Sequence, residues 1–166
     1  MHRYVEKLRV PVQVALRGED PVEGFLSLAP QAELHDGPET ILERLNETVR
    51  MVPFHRADTG AVILFTRRQI DYVVASSDVH AELIRPATFM TTGEERLRVR
   101  LLGGAAFEGM LRMEQPEEFN RASDYLNGLE DFFPLDANDG TLLINKWRVL
   151  DVRVLEAAPR PETRAA

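Results

Sequence analysis

The stretch Arg121 to Val154, RASDYLNGLEDFFPLDANDGTLLINKWRVLDVRV, decides the reading of the chain, because Thr40 to Val74 runs through the same signals in the same order. Leu126-Asn127 answers Leu45-Asn46, Pro134 answers Pro53, Gly140 answers Gly60, and Leu150-Asp151 answers Ile70-Asp71. Upstream, Glu108-Gly109-Met110-Leu111 answers Glu23-Gly24-Phe25-Leu26. The offset shrinks along the chain from 85 through 81 to 80 residues. The first copy therefore carries extra residues, most of them near Ala29 to Pro38, in a stretch of loop composition that tolerates such differences. Self-similarity in this order predicts two copies of one unit.

Each copy spans roughly 65 to 75 residues, a size at which a lone core is marginal. The copies are therefore expected to pack on each other or on a partner. With 44% hydrophobic and 28% charged residues, the composition is that of a globular chain. The absence of cysteine removes disulfides, thiol catalysis and cysteine metal sites. Only Lys7 and Lys146 of the 20 basic residues are lysine, and the formal net charge is -7. Nucleic-acid affinity depends on neutralising phosphates, so this balance disfavours a broad nucleic-acid surface while leaving room for a local basic patch. Residues 1–10 carry charges where a signal peptide needs an apolar core. No apolar run approaches the ~18 residues of a membrane span, so the expected location is the cytoplasm.

Working outward, Val10 to Leu16 alternates with period two, the pattern of a half-buried strand. Pro11 cannot donate to a ladder, which predicts an edge strand, with Val10, Val12, Val14 and Leu16 available for pairing. Val22 to Leu28 is a second strand, with Gly24 at a bulge or close approach. Thr40-Ile41-Leu42-Glu43 fits a capping box opening a short helix. Val49 to Arg56 is a strand through Pro53. Ala61 to Thr66 and Ile70 to Ala75 are read as a hairpin with Arg67 and Arg68 at its tip. In the second copy, Leu97 to Leu101 and Phe107 to Met113 are strands, Arg121 to Asn127 the helix, and Asp131 to Leu135 the strand through Pro134. Asn138-Asp139-Gly140 is a strong turn signal. Thr141 to Asn145 and Val149 to Leu155 form the last hairpin, with Lys146, Trp147 and Arg148 at its tip.

The expected fold is mainly β: two tandem five-stranded β-barrel-like repeats, each with one short helix, packed as a pseudo-dimer. Repeat 1 covers 1–75, a linker 76–95 with a helical turn at Val79 to Ile84, and repeat 2 covers 96–156. Residues 157–166 are expected to be a disordered tail.

The second copy resembles small bacterial proteins grouped as a domain of unknown function. The resemblance rests on Arg121, Ser123, Asp124, Tyr125, Leu126 and Asn127, then Phe132 and Pro134, then Ile144, Asn145 and Lys146. It implies no known activity. A weaker resemblance is to the Sm-like small β-barrels, carried by Gly109, Asp124, Asn127 and Lys146 in that order. It implies RNA or nucleotide binding. The order of helix and strands differs from that family, and Asp124 to Asn127 is one residue tighter. A PilZ-like reading of Arg96, Arg98 and Arg100 lacks the serine-glycine box that should follow.

For chemistry the residues offer little. His2, His35, His55 and His80 show no ligand spacing. Asp136, Asn138, Asp139 and Gly140 read as a turn rather than a calcium loop, for want of a closing Glu. Glu117, Glu118, Glu130 and Asp131 read as solvated charge. No Gly-rich phosphate loop, G-x-S-x-G or H-E-x-x-H is present. The expectation is a non-enzymatic interaction or scaffold module without cofactor or metal. Its partner would be another protein or itself, bound at the tips (Arg67, Arg68, Lys146, Trp147, Arg148) or along the edge strand. Arg96, Arg98 and Arg100 share one strand face, either wet or set against acidic residues.

Overall fold

The computed structural model describes residues 6–114 and 121–157. Its strands are β1 (Leu8–Leu16), β2 (Val22–Leu28), β3 (Met51–Arg56), β4 (Val62–Thr66) and β5 (Ile70–Ser76) in the first half. The second half holds β6 (Gly93–Leu101), β7 (Ala106–Met113), β8 (Phe132–Ala137), β9 (Gly140–Asn145) and β10 (Val149–Ala157). Helix α1 (Ile41–Asn46) stands between β2 and β3, and α2 (Ala122–Leu126) between β7 and β8. All ten strands join one antiparallel sheet in the order β10-β6-β7-β8-β9-β5-β1-β2-β3-β4. The expected disordered tail falls largely on 158–166, outside the described residues; Ala157 itself ends β10.

The sheet is open, which corrects the expectation of barrel-like units. Closing the first half would require β5 to pair with β4. The second side of β5 is instead taken by β9, with Tyr72 opposite Ile144 and Ala75 opposite Thr141. The same pairing overturns both long hairpins. β4 and β5 are joined by the 3-10 turn Arg67–Gln69 but do not pair, and β9 and β10 are likewise only joined, by Lys146–Arg148. The short turns behave as read: 57–60 joins β3 to β4, and Asn138-Asp139 joins β8 to β9.

A second correction concerns β1. It lies between β5 and β2, not at an edge. Val10, Val12 and Val14 are buried and Leu16 nearly so. Pro11 is tolerated because β5 pairs only from Gln13 to Leu16, so at Pro11 the strand has one neighbour, β2. Pro53 and Pro134 sit similarly, opposite Leu64 and Leu143 but outside the short ladders to β2 and β7.

Two glycines allow those short ladders. A Cβ on Gly24 would lie 2.1 Å from the His55 carbonyl oxygen, and one on Gly109 would lie 2.6 Å from that of Asp136. Any other residue would force neighbouring strands apart.

The capping box forms as the sequence predicts. The Glu43 amide donates to Thr40 Oγ1 (3.2 Å) and the Thr40 amide to Glu43 Oε1 (3.0 Å). The helix leaves through Glu47, whose backbone is extended. Helix α2 has no side-chain cap of its own, and Glu95 of β6 accepts from the Ala122 amide instead (3.0 Å).

The apolar residues form two clusters. One holds Val10, Val14, Leu26, Leu45, Phe54 and Phe65, and also Phe132 and Leu143 from the second half. The other holds Leu97, Val99, Leu111, Phe133 and Ile144, with Tyr72 and Val74 of β5 packed against it. Strands β5 and β9 therefore send alternate side chains into different cores. The connector is no free tether: Val79, Leu83 and Ile84 pack on the first cluster, around a 3-10 turn at Ala81–Leu83.

Candidate functional site

The antiparallel β5/β9 ladder places the start of β5 beside the end of β9. The 3-10 turns Arg67–Gln69 and Lys146–Arg148 therefore meet, and the five predicted tip residues gather at one seam. Asp131 ties them together. Its Oδ2 accepts from Arg67 Nη1 (2.7 Å) and its Oδ1 from Trp147 Nε1 (2.8 Å). Arg67 is buried and also donates to the Val49 carbonyl (2.9 Å). Burial alone would raise the Asp131 carboxyl, but the hydrogen bonds from Trp147 and Arg67 and the charges of Arg67 and Arg68 outweigh it and hold it below the usual range. Asp131 is thus a buried-side anchor, not the solvated charge its sequence context predicts.

Two asparagines complete the seam. Asn145 Nδ2 donates to the Arg68 and Ile70 carbonyls (3.1 and 3.0 Å), while its Oδ1 accepts from the Trp147 amide (3.0 Å). Asn46 accepts from the Phe132 amide (2.8 Å) and donates to its carbonyl (3.3 Å), imitating a strand neighbour. Arg148 donates to Asp71 Oδ1 (2.8 Å), and Asp71 Oδ2 accepts from the Gly18 amide (2.7 Å). Arg67 and Arg148 therefore tie the halves together by hydrogen bonds, Arg67 to Asp131 and Arg148 to Asp71, while Trp147 bonds within the second half and meets the first only through Arg68. The Trp147 ring is nevertheless 59% exposed, with the Arg68 guanidinium 5.2 Å from its centroid. Lys146 lies 5.7 Å from the Tyr125 ring centroid. Burial lowers the Lys146 ammonium and pushes the Tyr125 phenol up to about 12.

An open groove of about 560 Å³ beside this seam is lined by Arg50, Thr66, Arg67, Arg68 and Gln69. A larger hollow of about 620 Å³ flanks α1, and acids outnumber the basic Lys7 and Arg44 on its walls, among them Glu39, Glu43, Glu47 and Glu130. Asp136 is held by Arg85, Arg112 and Thr141. Among the described residues no group of three or more His, Asp or Glu side chains could hold a metal ion. Arg96 and Arg98 meet Glu108 across β7, and Arg100 pairs with Asp151 on β10, so the arginine face of β6 is set against acids.

The feature that sequence reading missed is at the ends of the sheet. Among the described residues β4 and β10 are its two unpaired edges. Val62 and Leu64 of β4 are 58% and 56% exposed, and Val154 of β10 is 52% exposed, with Leu150 also exposed. The apolar run Val62-Ile63-Leu64-Phe65 could have revealed it. Such a run signals burial on both faces, yet only Ile63 and Phe65 face a core.

No family model, no curated protein and no solved structure matches the chain. Among the described residues no helix is long and apolar enough to cross a membrane.

Proposed function

We propose that the chain is a non-enzymatic protein-interaction module, built from two copies of one five-stranded unit, that works through the open edges of its sheet. The carrying observation is β4. It has five residues without a charge, a proline or a glycine, and its outer side chains, Val62 and Leu64, are uncovered. Sheet edges are ordinarily blunted by charge, proline or bulges, because an unblunted edge recruits another strand. The two-copy reading is supported by neighbour order, β5-β1-β2-β3-β4 and β10-β6-β7-β8-β9. It is supported too by the close approaches of Gly24 to His55 and of Gly109 to Asp136, the residues two past Pro53 and Pro134.

The test is association of the purified full chain, followed by light-scattering mass at low and high salt. Apolar edge pairing survives salt and is lost in Val62→Lys or Leu64→Lys. A second reading, an Sm-like RNA- or nucleotide-binding protein, draws on the Arg50-Arg67-Arg68 groove beside the exposed Trp147 ring. Nucleic acid that co-purifies, raises the 260 to 280 nm absorbance ratio and is stripped by salt would favour that reading and sink the first.

A further inference from the structure

We infer that the partner of the open edges is a second copy of this chain, joined head to tail, with β10 of one molecule pairing antiparallel to β4 of the next. The inference rests on the interaction-module reading and adds the partner and the register.

The molecule already contains one junction of this kind. Under the two-copy reading, β9 corresponds to β4 and β10 to β5. The strand register sets this correspondence residue by residue, one residue away from the sequence match of Ile70-Asp71 with Leu150-Asp151. Pro53 faces Leu64 as Pro134 faces Leu143. Leu16 faces Ile70 as Leu101 faces Val149, each followed by the same bulge. Leu64 thus corresponds to Leu143, Val73 to Val152 and Ala75 to Val154. Inside the molecule β5 pairs with β9, with Val73 opposite Leu143 and Ala75 opposite Thr141. The same junction between molecules places Val152 opposite Leu64, and Val154 opposite Val62, of the neighbour.

Exposure follows this correspondence. Leu143, inside the internal junction, is 0% exposed, whereas its counterpart Leu64 is 56% exposed. Ala75 is 1% exposed, whereas its counterpart Val154 is 52% exposed. In the inferred register Leu64 gains Val152, and Val154 gains Val62, as its direct cross-strand neighbour, the contact that stabilises sheets. The opposite face of β10 carries Asp151 and Arg153 where β5 carries Tyr72 and Val74. The intermolecular junction therefore gains one apolar face where the internal one has two, and association is weaker and concentration-dependent. Because the two edges differ, the contact is heterologous. It closes a ring or extends a filament according to the rotation between copies.

Cysteine pairing in the full chain tests the register, since the protein has no cysteine of its own. Antiparallel partners have Cα atoms about 4.5–5.5 Å apart, within disulfide reach. A Val62→Cys chain mixed with a Val154→Cys chain is expected to give a cross-linked heterodimer under mild oxidation. The double variant is expected to give a ladder of multimers. Leu64→Lys alters a side chain exposed in the single chain, so it should keep the melting temperature while reducing the light-scattering mass to that of one chain.

Three results would overturn the inference: Val62→Cys chains that cross-link to each other instead, multimers insensitive to Leu64→Lys, or a single-chain mass at every concentration. Val62→Cys chains that cross-link to each other, with association still lost in Leu64→Lys, leave the module reading standing with edges paired like to like; the other two results remove both readings.

Discussion

Asp131 is the residue on which the seam turns. It accepts from a buried arginine and from a half-exposed indole; removing it takes the charge partner from Arg67, which keeps the Val49 and Leu45 carbonyls, and leaves the indole to water. Asp131→Ala is expected to cost about 1–3 kcal/mol in urea unfolding, and Asp131→Asn less, since an acceptor remains. The carboxyl is held below its ordinary value, so its contribution is present above the usual carboxylate range near ~4 and is lost as pH falls through the folded-state value. The stability gap between wild type and Asp131→Asn should narrow on acidification, which denaturation at a series of pH values would read. Asp136 is also held low, by Arg85, Thr141 and Arg112 against the upward push of burial, and adds acid sensitivity of the same sign. Gly24 and Gly109 have no room for a Cβ. Alanine at either should lower the melting temperature, by a stability loss of about 1–3 kcal/mol. The sequence marked both glycines but could not mark Asp131, whose partner Arg67 lies 64 residues away.

At the scale of the element, β4 and β9 make the useful contrast. Both are short apolar strands entered from a turn, and only β9 has a neighbour on each side. Leu143→Ala is expected to cost about 2–5 kcal/mol, as a buried leucine does. Leu64→Ala should change the stability of the single chain by about 0.5 kcal/mol or less. The pair, measured by denaturation at low concentration, isolates what the second neighbour contributes. Strand positions, the capping box at Thr40 and the Asn138-Asp139 turn were legible because they depend on local periodicity and local hydrogen bonds. The hairpins drawn across Arg67–Gln69 and Lys146–Arg148 were not. A 3-10 turn between two strands does not itself say whether they pair or part.

For the whole molecule, the shared cores decide behaviour. Phe132 and Leu143 complete the first cluster, and Tyr72 and Val74 pack on the second. Residues 6–75 and 93–157 expressed separately should therefore each lack a cooperative thermal transition, and mixing them should restore one. The intact chain should unfold in a single transition, with circular dichroism and tryptophan fluorescence coincident. Two independent transitions would show that the halves are separate domains.

The sequence by itself determined a mainly β chain, the places of its strands and two short helices, and the matching positions of Arg67, Arg68 and residues 146–148 between their strands. These follow from alternation, turn chemistry and capping, which act over a few residues. Only the tertiary structure decided that the strands form one open sheet, that β1 is interior, and that β4 and β10 are the edges. Those outcomes turn on which strand takes the second side of β5. Closing the first half through β4 and joining the halves through β9 both satisfy the same backbone groups. The choice is made by the packing of Tyr72, Val74, Phe132 and Leu143 across the seam, a contact between distant segments that no local pattern encodes.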